Sequence, residues 1–325
     1  QGPNHEFAQG GPAHASIAAM PRAPPTGWAR RTNSAMNRIT NKQRLSSVLL
    51  LGLASCQATT LDSQPVATPA AVVRQPFSNS VGHGVSNAIE RCDDLTLCVE
   101  ELLLALETGT LDGACHAYAA ARAPYEEIQV LAAAFPELDL AIDGRSSEFE
   151  AGEFDPGFRG FHRIEILLFA RKRMGAATPY ARQLLQDVQA LRGVLEERGR
   201  FSAAATFAGM QRRCMDVATR MVSSEEEMWS NQSLLVIHHA WIGCYEQYKY
   251  FAGAVRTEDA LLAERIDRAY RKAIEEVAGE FSSEGVEGSP FTLIDMGQRR
   301  QIADSSLKLR GYLIQAHEAL GLKDA

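Results

Sequence analysis

The amino-acid sequence predicts an all-α protein made of two four-helix bundles side by side. From about residue 85 onward, apolar residues recur with the 3.6-residue period of an amphipathic helix. The breaks between these segments are short and contain Gly, Ser, Pro or Asp, and no run alternates strictly enough to predict strands. Because one bundle would not hold so many helices, the helical domain 85–325 is expected to divide near Gly199 into bundle one (about 85–199) and bundle two (about 200–325).

Start and stop signals divide the helical part into eight predicted helices. They span about 86–108, 111–134, 155–174, 178–198, 202–222, 224–254, 257–281 and 289–320, with a loop at 136–154. Asp155 as N-cap and Pro156 at the first helical position predict the start of the third helix. Ser224 and Glu227 form a capping-box pattern, which predicts the start of the sixth helix.

The N-terminal region lacks the helical period and divides into three parts. Residues 1–35 are rich in Gly, Pro, Ala and Arg, which predicts a disordered or non-native upstream extension. Residues 36–56 have the pattern of an export signal, because basic residues after Met36 precede an apolar run at 45–54 that is too short to cross a bilayer. Residues 57–84 are mostly small and polar, and we expect them to form a flexible tether.

The export signal ends in Leu53-Ala54-Ser55-Cys56, which resembles the bacterial lipobox. In a lipobox the cysteine becomes the lipid-modified first residue of the mature protein. The pattern therefore predicts a lipid anchor at Cys56 and a location in the bacterial periplasm or at the cell surface. Gln57, in a position where Asp would signal the inner membrane, favours the outer membrane. The alternative is a plain export signal with a chance cysteine.

The charge pattern argues against a nucleic-acid partner. The chain has a formal net charge of −7, and no stripe of Lys and Arg occurs with interleaved aromatic residues. Such a stripe is the usual signature of a surface that binds DNA or RNA. We therefore expect no nucleic acid among the ligands.

The most informative motif is His162-x-x-Glu165, which lies within the third predicted helix. Residues three apart share one face of a helix, so an imidazole and a carboxylate can hold one metal ion from one rigid element. Phe161 and Ile164 flank them and would seat this helix in a core. The alternative is a buried histidine bonded to a neighbouring glutamate with no metal.

Further oxygen and nitrogen donors could face this motif from other helices. The candidates are Glu126, Glu127 and Gln129 on the second helix, Asp143 in the loop, and Glu225, Glu226 and Glu227 at the start of the sixth. Carboxylate and imidazole ligands suit iron, manganese, zinc or copper. Solvated surface acids are the alternative for each, and the run at 225–227 is also explained as negative charge at a helix N-terminus. The zinc-peptidase pattern His-Glu-x-x-His is absent from the sequence.

Four segments carry a resemblance to a known family. They are 121–126, 135–139, 141–145 and the string Gly-Phe-His-Arg-Ile-Glu at 160–165. They resemble the imelysin family and, within it, are most similar to the periplasmic iron-uptake lipoproteins of the EfeO/EfeM type. The resemblance covers about residues 85–320 and is strongest from 118 to 170.

The resemblance implies an exported protein with two four-helix bundles that binds a metal ion, chiefly iron, with zinc or copper as alternatives. It implies metal ligands at His162 and Glu165, at Glu126 and Asp143, and more weakly at Glu225. At position 129 the family usually has Glu, whereas this chain has Gln129. The neutral amide should weaken the binding of trivalent cations most. A membrane permease or a peroxidase-like uptake protein is the implied partner.

Two other functions remain open from the sequence. The first is a metallopeptidase, the activity attached to the imelysin name, which would use His162, Glu165 and a metal-bound water. The second is a surface lipoprotein that binds a polymer or another protein without metal. In that case His162 and Glu165 would form a structural pair in the core.

Overall fold

The structure, a computed structural model, describes residues 77–223, 226–281 and 288–323. These residues form ten α-helices, and the only β-type pairing within them is one bridge between Phe281 and Gly288. The predicted all-α class is confirmed. None of the described helices is both long enough and apolar enough to span a membrane. The predicted export signal, the anchor at Cys56 and most of the predicted tether lie outside the described residues.

The helices follow one another with short connections. They are α1 (Ser78–Thr108), α2 (Leu111–Ile128), α3 (Pro136–Asp143), α4 (Phe161–Glu165), α5 (Met174–Glu196), α6 (Ala203–Thr219), α7 (Ser233–Tyr248), α8 (Ala252–Glu258), α9 (Ala260–Ala278) and α10 (Met296–Ala319). Several begin at a side chain that accepts a backbone N–H of the first turn, as Thr110, Ser202, Asp259 and Asp295 do. These caps satisfy donors that a helix start leaves without partners.

The helices pack in two groups around a continuous apolar core. In the first group α1 packs along α2 and α5, and the short helices α3 and α4 lie against α5. In the second group α10 packs along α6 and α9, and α7 contacts α6 and α9. Contacts of α2 with α7, and of the 3-10 segment Gln129–Ala134 with α6, join the two groups. The candidate site lies where these groups meet.

The first helix begins earlier than the sequence predicts. It starts at Ser78 rather than near 86, so the expected tether 57–84 is too long at its C-terminal end. Gly82 and Gly84 lower the helix propensity of this stretch. Gly84 is nevertheless buried, and its carbonyl accepts a hydrogen bond from Gln247 Nε2 at 3.1 Å. Tertiary packing therefore extends the helix across a weak local sequence.

The prediction for the third helix is wrong at its start. Asp155 caps a turn instead, because its side chain accepts the N–H of Gly157 at 2.8 Å, and the helix that carries the motif begins at Phe161. The expected loop 136–154 contains a helix, α3, which begins at Pro136. Proline suits that position because a first-turn N–H has no helical partner.

The predicted capping box of the sixth helix is also wrong. Glu227 does not open a helix, because α7 begins only at Ser233, and the intervening chain is irregular, with Asn231 at a φ of 59°. Glu226 and Glu227 are buried here, each only 1% exposed. Buried carboxylates need cationic or hydrogen-bonding partners, and these two find them within the site described next. Ser224 lies outside the described residues.

Candidate metal centre

Four parts of the chain converge on one buried polar cluster. Arg122 comes from α2, Asp143 is the last residue of α3, His162 comes from the first turn of α4, and Glu226 comes from the irregular segment before α7. All four side chains are buried among the apolar core residues. The cluster is therefore assembled from both helix groups.

Asp143, His162 and Glu226 bring three metal-ligating groups together. One donor atom from each lies within 4.8 Å of the other two. Metal–nitrogen and metal–oxygen bonds of about 2.0–2.2 Å place neighbouring ligand atoms roughly 3.0–3.6 Å apart. The donor triangle of Asp143, His162 and Glu226 would therefore contract when it binds an ion. One imidazole and two carboxylates form a donor set that suits iron, manganese or zinc.

Glu165 orients the imidazole of His162. His162 Nδ1 lies 3.2 Å from Glu165 Oε2, while Glu165 Oε1 accepts the backbone N–H groups of Trp229 at 2.8 Å and Ser230 at 2.9 Å. A carboxylate at Nδ1 favours the proton there and leaves the lone pair of neutral histidine on Nε2. Nε2 faces Asp143, whose Oδ1 is 3.4 Å away.

Among the three metal-ligating side chains, two buried atoms have no hydrogen-bond partner within the described residues. They are His162 Nε2 and Glu226 Oε2. Leaving a buried polar atom without a partner costs free energy, and such atoms in a folded protein call for an explanation. A cation bound by both side chains would satisfy both of these atoms. The residues present therefore fit a metal ion on the Nε2 side of His162.

Arg122 neutralises the acidic groups behind the donor triangle. Its Nη1 is ion-paired with Asp143, its Nη2 lies 2.6 Å from Glu126 Oε1, and its Nε lies 2.8 Å from Glu227 Oε1. Arg213 from α6 is ion-paired with the other oxygen of Glu126. Without these guanidinium groups, the buried carboxylates would carry uncompensated charge.

The two acidic members of the donor triangle remain ionised. Burial alone would raise the pKa of Asp143, but Arg122, His162 and Arg145 together hold that pKa below its ordinary value. Burial would likewise raise the pKa of Glu226, which the neighbouring Arg145 lowers instead. Both carboxylates therefore carry the negative charge at neutral pH that favours binding of a cation.

The other acids of the cluster hold their protons to higher pH. Burial raises the pKa of Glu126 to about 7 against the opposing effect of Arg122 and Arg213. Burial and the nearby Glu165 raise the pKa of Glu227 to about 8. Burial lowers the pKa of His162, but its hydrogen bond to Glu165 and the charge of Asp143 outweigh this and raise it.

Two clefts reach the cluster from outside. One, of about 410 Å³, is lined by His162, Glu165, Glu226 and the half-exposed Trp229. The other, of about 480 Å³, is lined by Asp143 together with residues of α3 and α6. Residues of the donor triangle thus line both clefts, and each cleft is larger than a hydrated ion.

The structure brings together some of the sequence-predicted residues and separates others. Asp143 and His162 meet, with Glu165 behind the imidazole. Glu126 lies between two arginines, and Gln129 Nε2 donates to Asp143 Oδ2 at 2.8 Å. Glu127 lies apart from the triangle, with its Oε1 2.8 Å from His239 Nδ1. Glu225 lies outside the described residues.

Sequence reasoning named Glu226 only as part of an acidic run and overlooked three cluster members. The overlooked residues are Arg122, Arg145 and Arg213. Arg122 stands one helical turn before Glu126, a spacing that also occurs in exposed ion pairs and carries no signal of burial. An arginine in an apolar stretch of helix next to a candidate ligand was the available hint.

Replacing Glu227 with glutamine should change how stability depends on pH. The raised pKa means that folded Glu227 keeps a proton that the unfolded chain loses above its ordinary pKa of 4.5. The contribution of Glu227 to the free energy of unfolding of the wild-type protein is therefore greatest at low pH. It falls as the pH rises toward about 8. Glutamine stays neutral. We therefore expect the free energy of unfolding of the variant, relative to wild type, to be roughly 1–3 kcal/mol higher at pH 8.5 than at pH 5.

The measurement is urea unfolding of both proteins without metal at the two pH values. The exposed pair Arg182 and Glu107 supplies the control, because Glu107→Gln should leave the difference between pH values unchanged. An equal stability difference at both pH values would contradict the assigned protonation of Glu227.

Most of the helical part of the chain is similar to one known protein family. The family model described as Imelysin (Peptidase_M75) matches residues 88–309. The iron uptake system component EfeO of Escherichia coli strain K12 is 34% identical over 130 residues, which is 40% of this chain and 34% of that protein. Proteins of the same name from Shigella flexneri and E. coli O6:K15:H31 match with the same identity and coverage. The chain thus spans about a third of the length of these curated relatives.

Proposed function

This chain belongs to the imelysin family, and from that premise we propose that it captures a metal ion, iron before zinc or copper, for uptake. Asp143, His162 and Glu226 would hold the ion, with Glu165 fixing the imidazole. The similarity to proteins named as iron uptake components supports iron as the cargo. The EfeO-like relatives match over only part of their length, so the role of the whole protein is part of this proposal.

The observation that carries the proposal is the pair of buried atoms without partners. His162 Nε2 and Glu226 Oε2 belong to side chains that, together with the ionised Asp143, bring ligand atoms within 4.8 Å of one another. A purely structural pair of His162 and Glu165 would account for Nδ1, but Nε2 would face Asp143 Oδ1 at 3.4 Å without a hydrogen bond. A bound cation accounts for both atoms.

The remainder of the chain supports an extracytoplasmic setting for this activity. We propose that residues 36–56 direct export, that Cys56 carries a lipid anchor, and that the protein acts in the periplasm or at the cell surface. A permease in the membrane, or a peroxidase-like uptake protein, would then receive the ion. The Ala-, Gln-, Pro- and Thr-containing stretch after Cys56 is suited to give the helical domain reach from the membrane.

Gln129 bears on which ion is preferred. Its Nε2 donates to Asp143 and to Asp139 Oδ1, so it contributes no negative charge to the site. Hard trivalent cations depend most on anionic oxygen donors. We therefore propose that this chain favours a divalent ion more than a relative with glutamate at this position would. The variant Gln129→Glu should shift preference toward Fe(III).

Calorimetric titration tests the proposed function. Wild-type protein is titrated with Fe(II) under anaerobic conditions, Fe(III)-citrate, Zn(II) and Cu(II). We expect binding to at least one ion, and a loss of 100-fold or more in affinity for the variant His162→Ala, because removal of the one nitrogen donor leaves only two carboxylates. The variant His317→Ala, at a histidine far from the cluster in the C-terminal helix, is the matched control. No binding of any ion by wild type would overturn the proposal.

A further inference from the structure

Arg145 is a cation held directly on one of the proposed metal ligands. Its guanidinium is ion-paired with Glu226, and its Nη1 lies 3.8 Å from Glu148 Oε2. The side chain of Arg145 is 17% exposed, whereas that of Arg122 is fully buried. Of these two arginines, only Arg145 has a partner that faces solvent, because the side chain of Glu148 is 44% exposed.

Arg145 also lines both clefts that reach the cluster. It lines the cleft that exposes His162 and Glu226 and the cleft that exposes Asp143. A metal ion entering from either cleft therefore meets this guanidinium beside the donor triangle. Like charges at such short range repel strongly when they are shielded from water, and the repulsion grows with the charge of the ion.

We propose that Arg145 is a displaceable internal cation, which neutralises Glu226 until a metal ion replaces it and which then moves to Glu148 and solvent. This inference rests on the proposed function of the site. Glu148 Oε2 already accepts the backbone N–H of Arg145 at 2.7 Å, so the second partner is present before the ion arrives. Capture thus exchanges one cation for another on the same carboxylate, and return of the guanidinium would assist release of the ion.

A fixed orienting role for Arg145 predicts the opposite result. Arg145 bonds to Glu226 Oε1 and could hold the carboxylate so that the unpartnered Oε2 points at the metal. Removing an orienting partner lowers metal affinity, whereas removing a competing cation raises it. The sign of the change therefore decides between the two roles.

The first experiment compares variants in titrations with Fe(II) under anaerobic conditions and with Zn(II). We expect Arg145→Gln to bind at least tenfold more tightly than wild type and Arg145→Lys to stay within threefold, because lysine keeps the competing charge. Arg220→Gln is the matched control. Arg220 lines one of the same clefts but pairs with Asp216, at 3.0 Å, and should leave affinity unchanged.

The second experiment uses the unmodified chain and does not depend on whether a variant folds. Phenylglyoxal reacts with accessible arginines, and mass spectrometry of peptides reports the modified residue. We expect metal-free protein to be modified slowly at Arg145 and metal-loaded protein to be modified at least fivefold faster there. Modification of Arg220 should not change with metal.

Each outcome decides one claim. Equal or weaker binding by Arg145→Gln, or metal-independent modification of Arg145, overturns the displacement while leaving metal capture intact. Failure of wild type, Arg145→Gln and Arg145→Lys alike to bind Fe(II), Zn(II), Fe(III)-citrate or Cu(II) overturns the proposed function and the displacement with it. Tighter binding by the glutamine variant with faster modification of loaded wild type supports both.

Discussion

Replacing Arg122 with methionine is expected to lower the free energy of unfolding by about 3–5 kcal/mol at pH 7.5. The substitution removes the cation that contacts Asp143, Glu126 and Glu227 in the protein interior. Methionine fills similar volume but leaves buried carboxylates without compensating charge. Such a loss is far larger than removal of an exposed ion pair causes.

Denaturant unfolding at pH 7.5 and pH 5 measures this effect. The deficit of the variant should shrink at pH 5, because Glu126 and Glu227, whose pKa values are about 7 and 8, then enter the interior without charge. Arg182→Met is the control, since Arg182 is 61% exposed and its loss should cost at most about 0.5 kcal/mol. A similar loss of stability in the two arginine variants would show that Arg122 does not stabilise the buried carboxylates.

Gly160→Ala is expected to damage both stability and metal binding. Gly160 has a φ of 82°, a conformation that L side chains rarely adopt, and a Cβ there would lie 2.2 Å from the carbonyl oxygen of Ile142 and 2.5 Å from that of Ala141. These carbonyls belong to the last turn of α3, immediately before Asp143. Relief of the clash must move α3 away from the start of α4, and therefore Asp143 away from His162.

We expect Gly160→Ala to lose about 3 kcal/mol or more in the free energy of unfolding, from backbone strain and steric overlap together. Affinity for the preferred metal ion, measured by titration of the folded variant, should fall at least tenfold. Gly193→Ala is the matched control, because a Cβ at that position in α5 meets nothing within 4 Å and alanine favours helix. Wild-type affinity in Gly160→Ala would show that the spacing of α3 and α4 does not set the site.

Helix content could be predicted from the sequence because helix formation depends on the local periodicity of apolar residues. The long helices α1, α5, α6, α9 and α10 carry apolar residues at regular intervals, and such patterns indicate helices without knowledge of the tertiary fold. Two of the errors are capping signals, at Asp155 and at the Ser224–Glu227 pattern. Both patterns also occur in turns and irregular segments, and only tertiary contacts decide between these uses.

The candidate site was only partly accessible to sequence reasoning. His162 and Glu165 were recognisable because three-residue spacing places them on one helix face. Glu226 was ambiguous, since it lies in an irregular segment where no periodicity indicates direction or burial. Arg122 and Arg145 were not predicted as site residues, because an arginine is expected at the surface unless its buried partners are known.

The donor triangle draws on both helix groups, and this has a consequence for how the chain matures. Asp143 and His162 precede α5, whereas Glu226 follows α6 and is fastened to α4 when Glu165 binds the N–H groups of Trp229 and Ser230. A nascent or proteolytically clipped chain that lacks the second group has two of the three donor residues. It also lacks the hydrogen bonds of Trp229 and Ser230 to Glu165. Metal binding at this site, as proposed above, would therefore require that both helix groups are docked.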